Sequence, residues 1–162
     1  MNKIIKLLTG KGDGGKTLAQ SFYDDLQVDV LARTLWGEAR GEGAEGMEAV
    51  ACVVLNRVKV ARDKGGFWWG DTIIAVCQKP YQFSCWNRSD VNYKRLQDVT
   101  EKSDLHFATA MRIARRAVAG VLKDATGGAD HYHEKSILPD WAVGQTPTTQ
   151  IKNHIFYKLT GV

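Results

Sequence analysis

Residues 44–61 constrain the fold more than any other stretch. At 3.6 residues per turn, Met47, Val50, Ala51, Val54, Val58 and Ala61 form one apolar stripe. Cys52, Val53 and Leu55 widen that stripe nearly all the way round. A helix that is apolar on every side has no face to give to water, so it must run through the middle of a packed domain. The rest of the chain has to supply its surroundings. The 162 residues suffice for one such domain, and a chain of this size buries roughly 70% of its unfolded surface without disulfides. Hydrophobic residues make up 44% and charged residues 25%, which excludes a disordered, collagen-like or coiled-coil chain. The longest apolar runs fall far short of the ~20 residues that cross a bilayer.

Two further helices have the right pattern to flank the central one. Val28, Leu31, Leu35 and Ala39 recur at spacings of three and four, which predicts a helix over about 26–39. Asp24 and Asp25 suit its first turn, and Gly41 and Gly43 end it. Phe107, Ala110, Met111, Ala114, Val118 and Val121 predict a helix over about 104–123, with Arg112, Arg115, Arg116 and Lys123 on the opposite side. A short helix is expected at 71–79, capped by Asp71 and stopped by Pro80. Residues 80–104 read as loop. Two strands are expected, at 129–134 and 150–159, so the fold class is α+β, mainly helical, with a small β element near the C-terminus.

The net charge of +4 favours anionic partners, whether nucleic acid, a membrane surface or a wall polymer, without choosing among them. Three cysteines, Cys52, Cys77 and Cys85, make no disulfide framework, although Cys77 and Cys85 are free to pair. The basic N-terminus has an apolar stretch broken by Lys6, which reads as a chain made in the cytoplasm without a conventional signal peptide.

Five motifs carry candidate chemistry. Gly10 to Thr17 matches the phosphate-loop pattern G-x-x-x-x-G-K-[ST], with Lys16 as its lysine. A nucleotide-binding fold also needs alternating strands and helices and a strand ending in a magnesium aspartate, and neither is legible here; a flexible linker is the plainer reading. Glu38 lies seven residues after Leu31 and three after Leu35, which places a carboxylate on the apolar stripe. Desolvation there raises its pKa, the property a general acid needs. The alternative is a buried ion pair with Arg40 or Arg57. His131, His133 and His154, with Asp130 and Glu134, are metal-ligand types but lack a complete ligand spacing. Cys85 with a histidine would make a nucleophile, but Asn87-Arg88-Ser89-Asp90 is no helix start to activate it. The rings of Trp68, Trp69, Phe83, Trp86, Tyr93, Tyr132 and Trp141 fall in loops or strand edges, suited either to stacking on sugar faces or to core packing.

Several blocks together resemble a known family. Leu31-Ala32-Arg33-Thr34-Leu35-Trp36-Gly37-Glu38-Ala39-Arg40-Gly41-Glu42, then Glu45 to Ala51 and Val53 to Val58, resemble the catalytic core of spore-cortex-lytic-type cell wall hydrolases. Tyr81-Gln82-Phe83-Ser84, Gly128 to His133 and Asn153 to Tyr157 resemble its later blocks, in the same order. The resemblance implies a lysozyme-like, lytic-transglycosylase-like fold. It also implies cleavage of peptidoglycan between N-acetylmuramic acid and N-acetylglucosamine, with Glu38 as the catalytic acid and then base. Lytic transglycosylation is the expected chemistry. Hydrolysis by a muramidase is the alternative, with Glu42 or Glu45 as second carboxylate. A non-catalytic wall-binding phage protein and a nucleotide-binding protein using Lys16 are readings of another class.

A substrate groove needs two walls, and Gln82, Phe83, Ser84, His131 and Tyr132 are expected to line it with Glu38. The expected partner is bacterial peptidoglycan. No nucleic acid, stable membrane insertion, metal or cofactor is expected, and the chain is expected to be a monomer that acts on the wall outside the cytoplasm. Residues 1–20 read as an N-terminal arm and glycine-rich linker, and 21–162 as the catalytic domain. A compact enzyme of this kind resembles a phage or prophage endolysin.

Overall fold

The computed structural model describes residues 15–160. Among the described residues, five α-helices, α1 (Leu18–Ala39), α2 (Gly43–Asp63), α3 (Ile73–Gln78), α4 (Tyr93–Asp98) and α5 (Leu105–Val118), precede three strands, β1 (His131–Glu134), β2 (Thr149–Ile151) and β3 (His154–Tyr157). The central helix foreseen at 44–61 is α2, and its all-round apolarity has a two-sided cause. Met47, Val50, Ala51, Val54, Val58 and Ala61 join the main core with α1, α3 and α5, while Ala49 and Val53 join Ala129, Ile151 and Phe156 in a second core under the sheet. Burial of each Met or Val side chain is worth about 1.5–3 kcal/mol, so α2 is held from both faces.

Helix α1 begins at Leu18, well before the expected residue 26. Thr17 caps it, its hydroxyl accepting from the Gln20 amide at 3.1 Å. The first two turns carried no periodic signal because Phe22, Tyr23 and Leu26 face mostly outward. Asp24 and Asp25 therefore lie inside the helix, where Asp24 meets Lys16 at 2.6 Å. The boundary drawn at 20/21 falls within α1. The N-terminal arm and residues 10–14 of the phosphate-loop pattern lie outside the described residues; Thr17, its last position, is the helix cap. Between α1 and α2, Arg40–Glu42 form a single 3₁₀ turn. Gly43 then takes φ +70°, a conformation that favours glycine and that reverses the chain into α2.

Other boundaries also move. Thr72 caps α3, its hydroxyl accepting from the Ala75 amide, whereas Asp71 offers only its carbonyl, to Arg62. Helix α5 starts at its cap Asp104 and stops at Val118, not 123. Gly120 at φ +76° closes it and leaves Val121 exposed. Residues 80–104 contain a 3₁₀ turn, Ser84–Trp86, and the short α4, whose one buried residue is Leu96. The stretch 150–159 forms a hairpin and not one strand. The sheet runs β1-β3-β2, all antiparallel, with Lys152 at φ +54° in the turn.

Candidate active site

Glu38 sits in the last turn of α1, half-buried on the stripe that the sequence placed it on. Its two oxygens meet two different walls. The Cys85 amide donates to Oε1 at 3.3 Å and the Tyr132 hydroxyl to Oε2 at 3.3 Å. Neither cation considered as an ion-pair partner reaches it. The Arg40 guanidinium donates to the carbonyls of Trp36 and Gly37 and lies over the Trp36 ring. Arg57 points to the sheet. Among the described residues Glu38 has no salt bridge. Burial therefore raises its pKa, the Asp90 charge adds to the rise, and the hydrogen bonds from Cys85 and Tyr132 only partly offset them.

The first wall depends on a close approach. A methyl group on Gly37 would lie 2.6 Å from Cys85 Cβ and 2.9 Å from its Sγ, so only glycine lets the 3₁₀ turn come near enough for its amide to reach Glu38. The Cys85 thiol is buried beside the carboxylate, and burial pushes its pKa up. A proton-holding thiol is the opposite of an activated nucleophile. Cys77 is likewise buried, at about 12, and all three cysteines are free, so Cys77 and Cys85 do not pair.

The second wall is the sheet. Side chains alternate faces along a strand, and the register puts Tyr132, His154 and Phe156 together on the face toward α2. Tyr132 is half-buried and touches both cores, and its desolvation there keeps the phenol protonated, able to donate. His131 and His133 occupy the other face. There His131 Nδ1 meets the Asp130 carboxylate at 2.7 Å, and His133 Nε2 meets the Tyr157 hydroxyl at 3.0 Å. Both rings pack near Trp141. His131 thus does not share Tyr132's side of the sheet. Phe83 is also no ligand-facing ring: it is buried in the main core under Arg57. Ser84 is exposed on the turn just before Cys85. Among the described residues no three His, Cys, Asp or Glu side chains converge as a metal site.

Arg57 joins the two walls, a role that sequence reasoning missed. It is buried on α2, donating through Nε to the Asp130 carbonyl at 2.7 Å and through a terminal nitrogen to Gln82 Oε1 at 3.4 Å. Its guanidinium also lies 5.1 Å from the centre of the Trp69 ring. The signal was present: an arginine within an apolar helix must find several acceptors. Asp130 is a second junction. Its carboxylate accepts from His131, the Leu159 amide and the Thr160 amide, and these bonds outweigh the effect of burial to hold its pKa at about 2.

Glu42 and Glu45, the second-carboxylate candidates, are committed elsewhere. Both Glu42 oxygens accept from Asn153, its backbone amide at 2.9 Å and its side chain at 3.1 Å, and those bonds hold Glu42 below its ordinary pKa. Glu45 is exposed and lies 3.6 Å from Lys152.

The arrangement has counterparts among known proteins. Residues 41–157 match the cell wall hydrolase family, a span that begins just after Glu38. The chain is 28% identical over 137 residues to the spore cortex-lytic enzyme of Halalkalibacterium halodurans and 29% identical over 139 residues to that of Oceanobacillus iheyensis. These alignments cover 83% and 84% of the chain but only 35% and 43% of the two relatives. The fold is similar to the catalytic domain of the Bacillus cereus SleB protein, with a TM-score of 0.63 at 27% identity, covering 83% of this chain and 91% of that one. It is equally similar to the catalytic domain of the germination-specific lytic transglycosylase SleB of Bacillus anthracis, with a TM-score of 0.62 at 27% identity, covering 82% and 93%. These relatives are spore proteins, and the expected endolysin assignment finds no support among them. With residues 41–157, most of its length, matched by the family, the chain belongs to the cell wall hydrolase family.

Proposed function

We propose that this chain cleaves the glycan of bacterial peptidoglycan between N-acetylmuramic acid and N-acetylglucosamine by lytic transglycosylation, with Glu38 as its acid and then its base. The observation that carries the reading is the setting of Glu38. It is a carboxyl whose pKa burial raises, without a cation partner among the described residues, and with a hydrogen-bond donor on each oxygen from opposite walls. Protonated Glu38 gives its proton to the glycosidic oxygen, and the bond to the muramic C1 breaks as positive charge develops there. Ionised Glu38, held by Cys85 and Tyr132, takes the proton of the muramic C6 hydroxyl as that oxygen bonds to C1. The product is a 1,6-anhydro ring, no water is consumed, and Glu38 ends as it began. The commitment of Glu42 to Asn153 supports a single-carboxylate mechanism.

Hydrolysis by a muramidase of the same fold is the second reading, and it needs a second carboxylate to activate a water. Mass spectrometry of digested sacculi separates the two. Anhydro-muramoyl ends, one water lighter than reducing ends, are expected. Reducing ends alone would assign the chain to the hydrolases, and no glycan cleavage at all would remove the proposed activity.

A further inference from the structure

Tyr81 stands where a glycine would fit better. The Gln82 amide donates to the Lys79 carbonyl at 3.1 Å, which closes a four-residue turn with Pro80 and Tyr81 at its centre. Tyr81 has φ +65°. Proline followed by a residue of positive φ is the pattern of a type II turn, whose third position calls for glycine or asparagine. A bulky side chain there is a conformational outlier, held at a cost to stability. No core packing compensates, since the residue is 88% exposed. The turn therefore presents a flat ring to solvent.

The ring borders a built recess. Lys79, Pro80, Tyr81, Trp86 and Arg88 line a cavity of about 460 Å³. The cavity is adjacent to the site already described. Trp86, on its wall, follows Cys85, whose amide holds Glu38. The Trp86 indole N–H donates to the Thr34 hydroxyl at 2.9 Å, and Thr34 precedes Glu38 by four residues on α1. Four residues are about one turn, or 6 Å along a helix axis, so the indole that walls the recess is anchored to α1 one turn before Glu38.

We infer that this recess is a glycan subsite, in which Tyr81 stacks on the face of a sugar ring while Lys79 and Arg88 meet the carboxylates borne by peptidoglycan. The inference rests on the proposed function and extends it by naming where the strand runs beyond the cleaved bond. An amphipathic ring suits a sugar, whose faces are apolar and whose edges carry hydroxyls. Two cations on one rim suit an anionic polymer.

The test uses the full chain and purified sacculi. Tyr81→Gly removes the ring and relieves the positive-φ position together. Its Tm is expected at or above that of the wild type, while KM rises roughly three- to tenfold with kcat little changed. Tyr81→Phe keeps the ring and is expected to restore KM. Arg88→Ala is expected to weaken binding at low salt and to match the wild type at high salt. Unchanged KM in Tyr81→Gly, or no recovery in Tyr81→Phe, overturns the subsite while leaving glycan cleavage standing. A wild-type chain that does not cleave sacculi removes the underlying function instead.

Discussion

The helical side of the site, which carries Glu38 and receives the Cys85 turn, and the sheet that faces it are built on different physics. The helical wall is apolar: α1, α2 and α5 meet through Leu31, Leu35, Trp36, Met47, Val50, Val54, Phe107 and Ile113, all buried. The sheet wall has a small apolar core of five residues and is otherwise fastened by polar ties. Arg57 bonds the Asp130 carbonyl, Asn56 bonds the Ala129 carbonyl at 2.9 Å, and Glu42 bonds Asn153. Dispersion and burial fix position without direction, whereas hydrogen bonds fix direction. The helical wall thus sets where the carboxylate sits and how dry it is. The sheet wall aims a single hydroxyl at it.

The largest effect is expected from breaking the helical side. Glu38→Gln keeps shape but cannot transfer a proton, so glycan cleavage should fall roughly 10²–10⁴-fold. Turnover of sacculi by a folded variant at the wild-type rate would sink the assignment. The same variant sharpens the desolvation argument. Folding raises the Glu38 pKa above the ordinary value of 4.5, so the folded state binds that proton more tightly than the unfolded chain does. Stability is complete while the carboxyl is protonated and declines as pH rises from about 4.5 through the folded pKa. The amide has no such loss, so Tm of the variant relative to wild type should increase as pH rises above about 4.5. A flat difference across that range would mean that Glu38 is not desolvated.

Next comes the tie between walls. Arg57→Leu leaves the buried Asp130 carbonyl without that donor, and such a loss costs about 2–3 kcal/mol, or on the order of 5–10 °C in Tm. Calorimetry checks it, and an unshifted Tm would show that the sheet is held without Arg57. Tyr132→Phe is milder: the ring stays and the bond to Glu38 goes. Cleavage should drop roughly three- to tenfold. The Tyr132 bond lowers the Glu38 pKa, so its removal should move the alkaline limb of the pH–rate profile upward. A downward shift would contradict the geometry. Glu42→Ala should have the smallest effect, a fall in Tm of about 2 °C at neutral pH. Its pKa is depressed in the fold, so its contribution is present above 4.5 and disappears as pH falls through the folded value. Wild type and variant should converge in acid.

The helical wall was legible in the sequence because burial leaves a period. α2, the second half of α1 and the stripe of α5 all announced themselves through apolar spacing, and the same spacing placed Glu38. The sheet wall was legible only as segments. Tyr132 was expected near Glu38 and meets it, but the alternation that sends His131 to the opposite face needed the register with β3. Phe83 read as a ring for sugar and is core, because a short polar segment does not reveal which of its aromatics turns inward. Arg57 within an apolar helix signalled a need for acceptors, but not that Asp130 and Gln82 supply them. Those contacts cross long stretches of chain, and the identity of a distant partner has no local signature.

Tyr132 packs against both cores and bonds a residue 94 positions earlier in the chain. Closing a loop of that length costs more chain entropy than bringing the neighbouring helices α1 and α2 together. The sheet, with its small apolar core, is therefore expected to part from Glu38 before the helices separate. Loss of cleavage on heating should then precede loss of helical circular dichroism, and coincident transitions would show that sheet and helices unfold as one unit.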